Sequence, residues 1–317
     1  MARIAVLDDY QGVALKMADW SRVLAQAEII VFNDHLSKIT DLVERLRGFD
    51  IICVMRERTP FPRELIEQLP DLELLITTGP RNASIDVAAA NENGVAVCHT
   101  ISLATGTPEL TWTLILALAR KISEESQNMR EGRWQTSIGA DLSGKTLGIL
   151  GLGRLGSRVA RVANAFDMSV IAWSQNLTHE RAKECGAIKV SKKDLYAQSD
   201  FLTVHLVLSD RTRGLLGADD LGHMKSSAIL INTSRGPIVQ EQALIHALKN
   251  NVIAGAGLDV YDVEPLPSDH PYRVLPNVLL TPHIGYVTEE SYRTFYGGIV
   301  EDIEAWLAGN PIRVLDP

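Results

Sequence analysis

The chain has 317 residues and a net charge of −8, with 46% hydrophobic and 22% charged side chains. That length suggests two domains with full cores, and the balance excludes long disordered tracts. The negative sign argues against a nucleic-acid or membrane-surface partner, though local arginines can still meet anions.

The start, MARIAVLDDY, reads as a strand followed by acids, with no signal-peptide pattern. Further apolar runs predict strands at Arg3–Leu7, Glu28–Phe32, Asp50–Val54, Glu73–Thr77 and Val95–Val97. Helical patterns such as Ser37–Arg47 and Ser84–Asn91 separate them. One long helix is expected from Pro108 to about Gly132, with Pro in its first turn. Its apolar stretch, Leu110 to Ala119, is too short to span a bilayer.

After Gly144 the rhythm restarts, with a strand Thr146–Leu150, a helix Leu155–Ala165 and a strand Ser169–Trp173. Strands follow at Phe201–His205, Ala228–Asn232, Val252–Gly257 and Val278–Leu280, then a helix Thr288–Leu307. This alternation predicts an α/β protein with two Rossmann-like, doubly wound parallel-sheet domains. Residues 1–100 plus 287–317 form one, flavodoxin-like; 101–286 form the second, inserted into the first. Three scattered cysteines, Cys53, Cys98 and Cys185, build neither a disulfide framework nor a metal knuckle. The eight histidines show no ligand spacing, so no metal is expected, and a reduced cytoplasmic setting is.

Gly151-Leu152-Gly153-Arg154-Leu155-Gly156 is a G-x-G-x-x-G between a predicted strand and a predicted helix, the context of a dinucleotide site. Gly151 allows the tight turn, Gly153 lets a pyrophosphate approach, and Gly156 lets helix and strand pack. The helix N-terminus, opened at Leu155, supplies N–H groups and dipole. A carboxylate for the ribose 2′-hydroxyl belongs at the end of the next strand, where Ser174 stands instead, followed by Gln175 and Asn176. These neutral donors do not repel a 2′-phosphate, and Arg154 and Arg181 are nearby candidate cations. The balance tips to NADP(H) over NAD(H).

Three more motifs fall at strand ends: Asn232-Thr233-Ser234-Arg235-Gly236, Gly257-Leu258-Asp259-Val260-Tyr261-Asp262-Val263-Glu264-Pro265 and Thr281-Pro282-His283-Ile284-Gly285. Reducing a 2-keto acid needs a cation on the carboxylate and carbonyl, and an acid for the alkoxide. The planar fork of Arg suits the first, and His titrates near working pH. A carboxylate beside the His orients the ring and favours its protonated form. Arg235, His283 and Glu264 fill these roles.

In that order and spacing, the motifs identify the chain as resembling the D-isomer-specific 2-hydroxyacid dehydrogenases along essentially its whole length. The resemblance implies a reductase of small anionic 2-keto acids such as glyoxylate or hydroxypyruvate, working as a homodimer with the Pro108 helix near the interface. It implies that Arg235 binds substrate, that His283 is acid and base with Glu264 its partner, that Asp259 holds the nicotinamide carboxamide, and that Thr233 meets the cofactor. The first domain becomes the substrate domain, and the two are expected to close around substrate. Thr77–Asp86 resembles the family's carboxylate-holding loop. Pro80 lacks an N–H there, so Arg81 and Asn82 must donate. Arg56 and Arg58 resemble positions that reach substrate, and Tyr286 stands where a smaller residue is usual, as a pocket wall or a packing group. The alternatives are a phosphoglycerate- or formate-type dehydrogenase of the family and a non-enzymatic, dinucleotide-sensing, corepressor-like scaffold. The C-terminal regulatory domain of many phosphoglycerate enzymes is not expected, since the sequence stops soon after its last helix.

Overall fold

Alternation of buried strands with amphipathic helices builds two separate parallel sheets in the computed structural model, which describes residues 1–316. One unit is Met1–Leu103 with the stretch from Thr288 onward; the other is Ala104–Val287.

In the first unit the strands are β1 (Ala2–Val6), β2 (Ala27–Val31), β3 (Ile51–Val54), β4 (Leu74–Thr77) and β5 (Ala96–His99). Their order is β2-β1-β3-β4-β5, all parallel, with Ile4 opposite both Ile29 and Ile51. β3 and β4 are buried at every residue, as expected for strands covered on both faces. Phe61, Leu65, Leu75 and Val97 lie in that core. The helix Glu289–Leu307, capped by Thr288 on the Ser291 N–H, buries Tyr292, Phe295, Tyr296 and Ile299.

The second unit holds β6 (Thr146–Leu150), β7 (Ser169–Trp173), β8 (Ile188–Lys189), β9 (Phe201–Val204), β10 (Ile229–Asn232), β11 (Gly255–Leu258) and β12 (Val278–Leu280). Their order is β12-β11-β10-β9-β6-β7-β8, again parallel. The chain reverses direction across the sheet between β6 and β9, the switch point beyond which such sheets bind ligands. Because all seven strands run one way, the loops after β6, β7, β9, β10, β11 and β12 share one edge.

The long helix expected over 108–132 is two helices, Gly106–Ala119 and Ile122–Arg130. The returning chain explains the break: Ala140 donates its N–H to the Ala119 carbonyl at 2.7 Å, which a continuous helix would have used four residues later. Lys121 takes a left-handed φ of +51° at the joint. The second helix buries only Asn128, so no apolar stripe holds it in line with the first. No helix among the described residues is long and apolar enough to cross a membrane.

Candidate active site

The glycine turn after β6 needs its glycines at two places. Gly151 has φ +107°, and a Cβ there would lie 2.7 Å from the His205 carbonyl oxygen. A Cβ on Gly156 would lie 2.2 Å from the Gly151 oxygen, so helix and turn are in backbone contact. Gly153 is the opposite case: a Cβ would meet nothing within 4 Å. That open approach faces the helix Gly156–Ala165, whose N-cap Leu155 offers no side-chain bond to the first N–H groups. A cavity of about 300 Å³ lies here, lined by Gly151 and Gly153 and, from neighbouring loops, by Ser174, Asn176, Arg181 and His205. Ser157 and Arg158 give their N–H groups to the Gly153 and Leu155 carbonyls, whereas those of Leu155 and Gly156 take no partner among the described residues; with the room and the helix dipole they fit a dinucleotide pyrophosphate. Arg181 also pairs with Glu184 at 3.0 Å, and Arg154 is exposed on the turn.

Beyond the adjacent strands β10, β11 and β12 the three predicted loops lie side by side. The first is folded by Asn232, whose amide donates to the Arg235 carbonyl at 3.0 Å and accepts from the Ser234 N–H at 3.0 Å. Ser234 donates its hydroxyl to the Leu206 carbonyl. Thr233 is buried and shares a 2.9 Å bond with the Thr111 hydroxyl. Gly236 presses this loop on the second: a Cβ there would lie 2.1 Å from the Tyr261 carbonyl carbon. In the second loop Glu264 accepts the Tyr261 N–H at 2.9 Å through Oε1. Its Oε2 meets His283 Nδ1 at 2.5 Å.

His283 sits at φ +53°. Asp259, buried at the end of β11, holds the turn around it. Its Oδ1 accepts from the Thr281 hydroxyl at 2.6 Å and the Ile284 N–H at 2.8 Å; its Oδ2 accepts from the Gly285 N–H at 2.8 Å. Burial pushes the Asp259 carboxyl up from the usual carboxylate range, against these bonds, which pull it down. Tyr286 packs edge-on to the His283 ring at 5.6 Å.

In the first unit the loop after β4 is braced by the loops after β3 and β5. Thr78 donates its hydroxyl to Met55 sulfur at 3.4 Å, and the Gly79 N–H donates to Thr100 at 2.9 Å. Asn82 is buried, giving its amide hydrogens to the Arg56 carbonyl and the Thr77 hydroxyl and accepting from Ser84. Arg56 donates to the Thr78 carbonyl at 3.0 Å and lies over Gly79, whose added Cβ would sit 1.8 Å from it. Arg58 donates to the Asp8 carbonyl and stacks over Tyr10 at 4.6 Å. Among the described residues, the N–H groups of Arg81 and Asn82 take no partner inside the protein, and the Arg81 side chain is exposed.

The family model described as "D-isomer specific 2-hydroxyacid dehydrogenase, NAD binding domain" matches residues 112–285, which contain the glycine turn and all three loops. The chain belongs to the D-isomer specific 2-hydroxyacid dehydrogenases. It is 41% identical over 256 residues to a glyoxylate reductase of Aeropyrum pernix, covering 78% of this chain and 76% of that one. A glyoxylate/hydroxypyruvate reductase B of Yersinia enterocolitica is 39% identical over 251 residues, covering 77% of each. The crystal structure of a phosphoglycerate oxidoreductase from Vibrio cholerae o395 superposes with a TM-score of 0.93 at 37% identity, covering 98% of this chain and all of that one.

As an NAD(P)-dependent dehydrogenase of this family, the chain binds a nicotinamide dinucleotide. The second unit brings together the predicted Gly151, Gly153 and Ser174 around one cavity, with Gly156 packed against the Gly151 backbone, and Arg235, Glu264 and His283 on adjoining loops. The structure spends the Asn82 side chain on its own loop and on the Arg56 carbonyl of the loop after β3, and it fastens Arg56 to Thr78. The sequence reading missed the Asn232 bracket and the backbone clamp by Asp259. The first had a signal, an Asn two residues before a Ser at a strand end, which is an Asx-turn pattern. The second joins residues 25 apart and had none.

Proposed function

We propose that this dehydrogenase reduces small 2-keto acids of the glyoxylate and hydroxypyruvate kind with NADPH, using His283 as acid, Glu264 as its partner and Arg235 as the clamp. The observation that carries the reading is the 2.5 Å His283–Glu264 pair, which joins the loops after β12 and β11, the latter strand being the neighbour of β10 and its Arg235 loop. With Nδ1 committed to the carboxylate, the imidazole keeps Nε2 for the substrate oxygen. The bound dinucleotide supplies the hydride. As the carbonyl carbon is reduced, Nε2 delivers a proton to its oxygen, and Glu264 steadies the ring that gives it up. The guanidinium of Arg235 pairs with the carboxylate and polarises the carbonyl. The N–H groups of Arg81 and Asn82 are suited to an anionic group, and Tyr286 limits motion of the His283 ring. The names of the Aeropyrum and Yersinia relatives support this substrate class. Following absorbance at 340 nm against glyoxylate, hydroxypyruvate and bulkier 2-keto acids tests it; dinucleotide binding without turnover on any of them would overturn it in favour of a binding scaffold.

The preference for NADPH rests on the cavity wall. Ser174 and Asn176 are neutral, Arg181 is cationic, and among the described residues no carboxylate lines the wall. Ser174→Asp sets a like charge against the 2′-phosphate, which costs on the order of 2–3 kcal/mol. NADPH affinity is therefore expected to fall about 30- to 150-fold. NADH should hold or gain, because the new carboxylate can accept from the 2′-hydroxyl. Fluorescence titration of both cofactors checks this, and an unmoved NADPH/NADH ratio would refute it.

We also propose a homodimer in the cytoplasm. Ile122, Met129, Trp134 and Ile138 are 55%, 54%, 73% and 91% exposed within one short stretch, a concentration that isolated surface apolar residues do not make. The free Cys53, Cys98 and Cys185 suit a reducing compartment. Light scattering should give twice the 34.8 kDa chain mass, and Trp134→Glu with Ile138→Glu should halve it. A monomeric unmodified chain would remove the proposal.

A further inference from the structure

His205 follows β9 at the switch point, and its backbone is fixed against the glycine turn. Its N–H donates to the Leu150 carbonyl at 2.8 Å, and its own carbonyl is what a side chain at Gly151 would strike. His205 lines the 300 Å³ cavity with Gly151, Gly153 and Ser174. Both ring nitrogens are buried, and neither has a hydrogen-bond partner among the described residues. Burial pushes the ring's pKa down to about 4, so it is neutral at working pH.

Two buried, unsatisfied nitrogens on one ring are a standing cost to the folded protein, and a purely structural position would favour a leucine or phenylalanine. Such breaches of local rules concentrate where a ligand makes use of them. A neutral imidazole presents one donor and one acceptor. A hydroxyl has the same pair, and the dinucleotide carries hydroxyls on the riboses flanking the pyrophosphate that the glycine turn receives. We propose that His205 is a cofactor-binding residue that hydrogen-bonds a ribose hydroxyl of the bound dinucleotide. Ser174 is a separate contact, toward the 2′ position that distinguishes the two cofactors; His205 serves both cofactors alike.

The test compares His205→Phe and His205→Leu, which keep the site apolar and filled, with His205→Gln, which keeps a donor and an acceptor. Fluorescence titration gives the Kd for NADH and for NADPH, and calorimetry gives the Tm of the cofactor-free protein. The apolar variants should weaken both cofactors about tenfold, equivalent to about 1.4 kcal/mol. At least one of them should melt at or above the unmodified protein, since an unsatisfied polar ring has been removed. His205→Gln should bind within about threefold of the unmodified chain, keeping most of the contact. An unchanged Kd in a stable apolar variant overturns the proposal. So does a lowered Tm in both apolar variants, which would make the ring a packing element.

Discussion

Replacing His283 with Ala is expected to lower kcat for 2-keto acid reduction by about 10²- to 10⁴-fold, the range that a positioned acid contributes. The Kd for the dinucleotide should move less than about threefold, because the glycine turn and the Ser174 wall are untouched. The expectation rests on how firmly the ring is held. Glu264 takes Nδ1 at 2.5 Å and is itself fixed by the Tyr261 N–H. Asp259 holds the chain on both sides of the residue, through the Thr281 hydroxyl and the Ile284 and Gly285 N–H groups. His283 also sits at φ +53°, where alanine is strained, so His283→Asn is the control: Asn tolerates the left-handed region yet cannot donate a proton at this pH. Both variants should lose activity alike. If His283→Asn retains turnover within about twofold, His283 is not the acid. Glu264→Gln keeps a hydrogen bond to the ring and loses the charge; a smaller loss, about tenfold, should follow.

These residues were legible before the fold was known because the chemistry is written locally. Each motif ends a strand, and parallel strands put such ends on one edge. The glycine turn is legible for the same reason, since Gly151 and Gly156 meet across five residues. What was hidden depends on partners far away in sequence. The helix after Pro108 breaks because Ala140 returns to take the Ala119 carbonyl, a bond that no periodicity encodes. β8 has only two residues, too few for an alternation to register. The Thr111–Thr233 bond joins a helix to a loop 122 residues on. His205 reads as the polar end of an apolar strand, and only the cavity beside it makes its unbonded nitrogens meaningful. Asn82 reads as a backbone donor in a binding loop; no local pattern encodes that its buried side chain also ties that loop to the Arg56 carbonyl and the Thr77 hydroxyl.

Arg235→Lys should cost more than its conserved charge suggests, with kcat/KM for glyoxylate falling about 30- to 1,000-fold, or about 2–4 kcal/mol. A guanidinium can hold a carboxylate with two parallel N–H bonds and still lean on the carbonyl, whereas an ammonium is a point charge on a flexible stem. The loop is built for the longer, planar group. Asn232 holds the Arg235 carbonyl, the Gly236 backbone is wedged against Tyr261, and Arg235 itself donates to the Ser234 carbonyl at 2.7 Å. A lysine on that rigid backbone cannot shift to recover the lost bonds. The decisive comparison uses an aldehyde of similar size without a carboxylate. For it the unmodified enzyme should already be slow, and Arg235→Lys should change the rate by less than about fivefold, because the carboxylate part of the interaction is missing from both. Equal losses on the acid and the aldehyde would mean that Arg235 acts only on the carbonyl or on the fold. A Tm within a few degrees of the unmodified protein separates those two, leaving the clamp on the carboxylate refuted in either case.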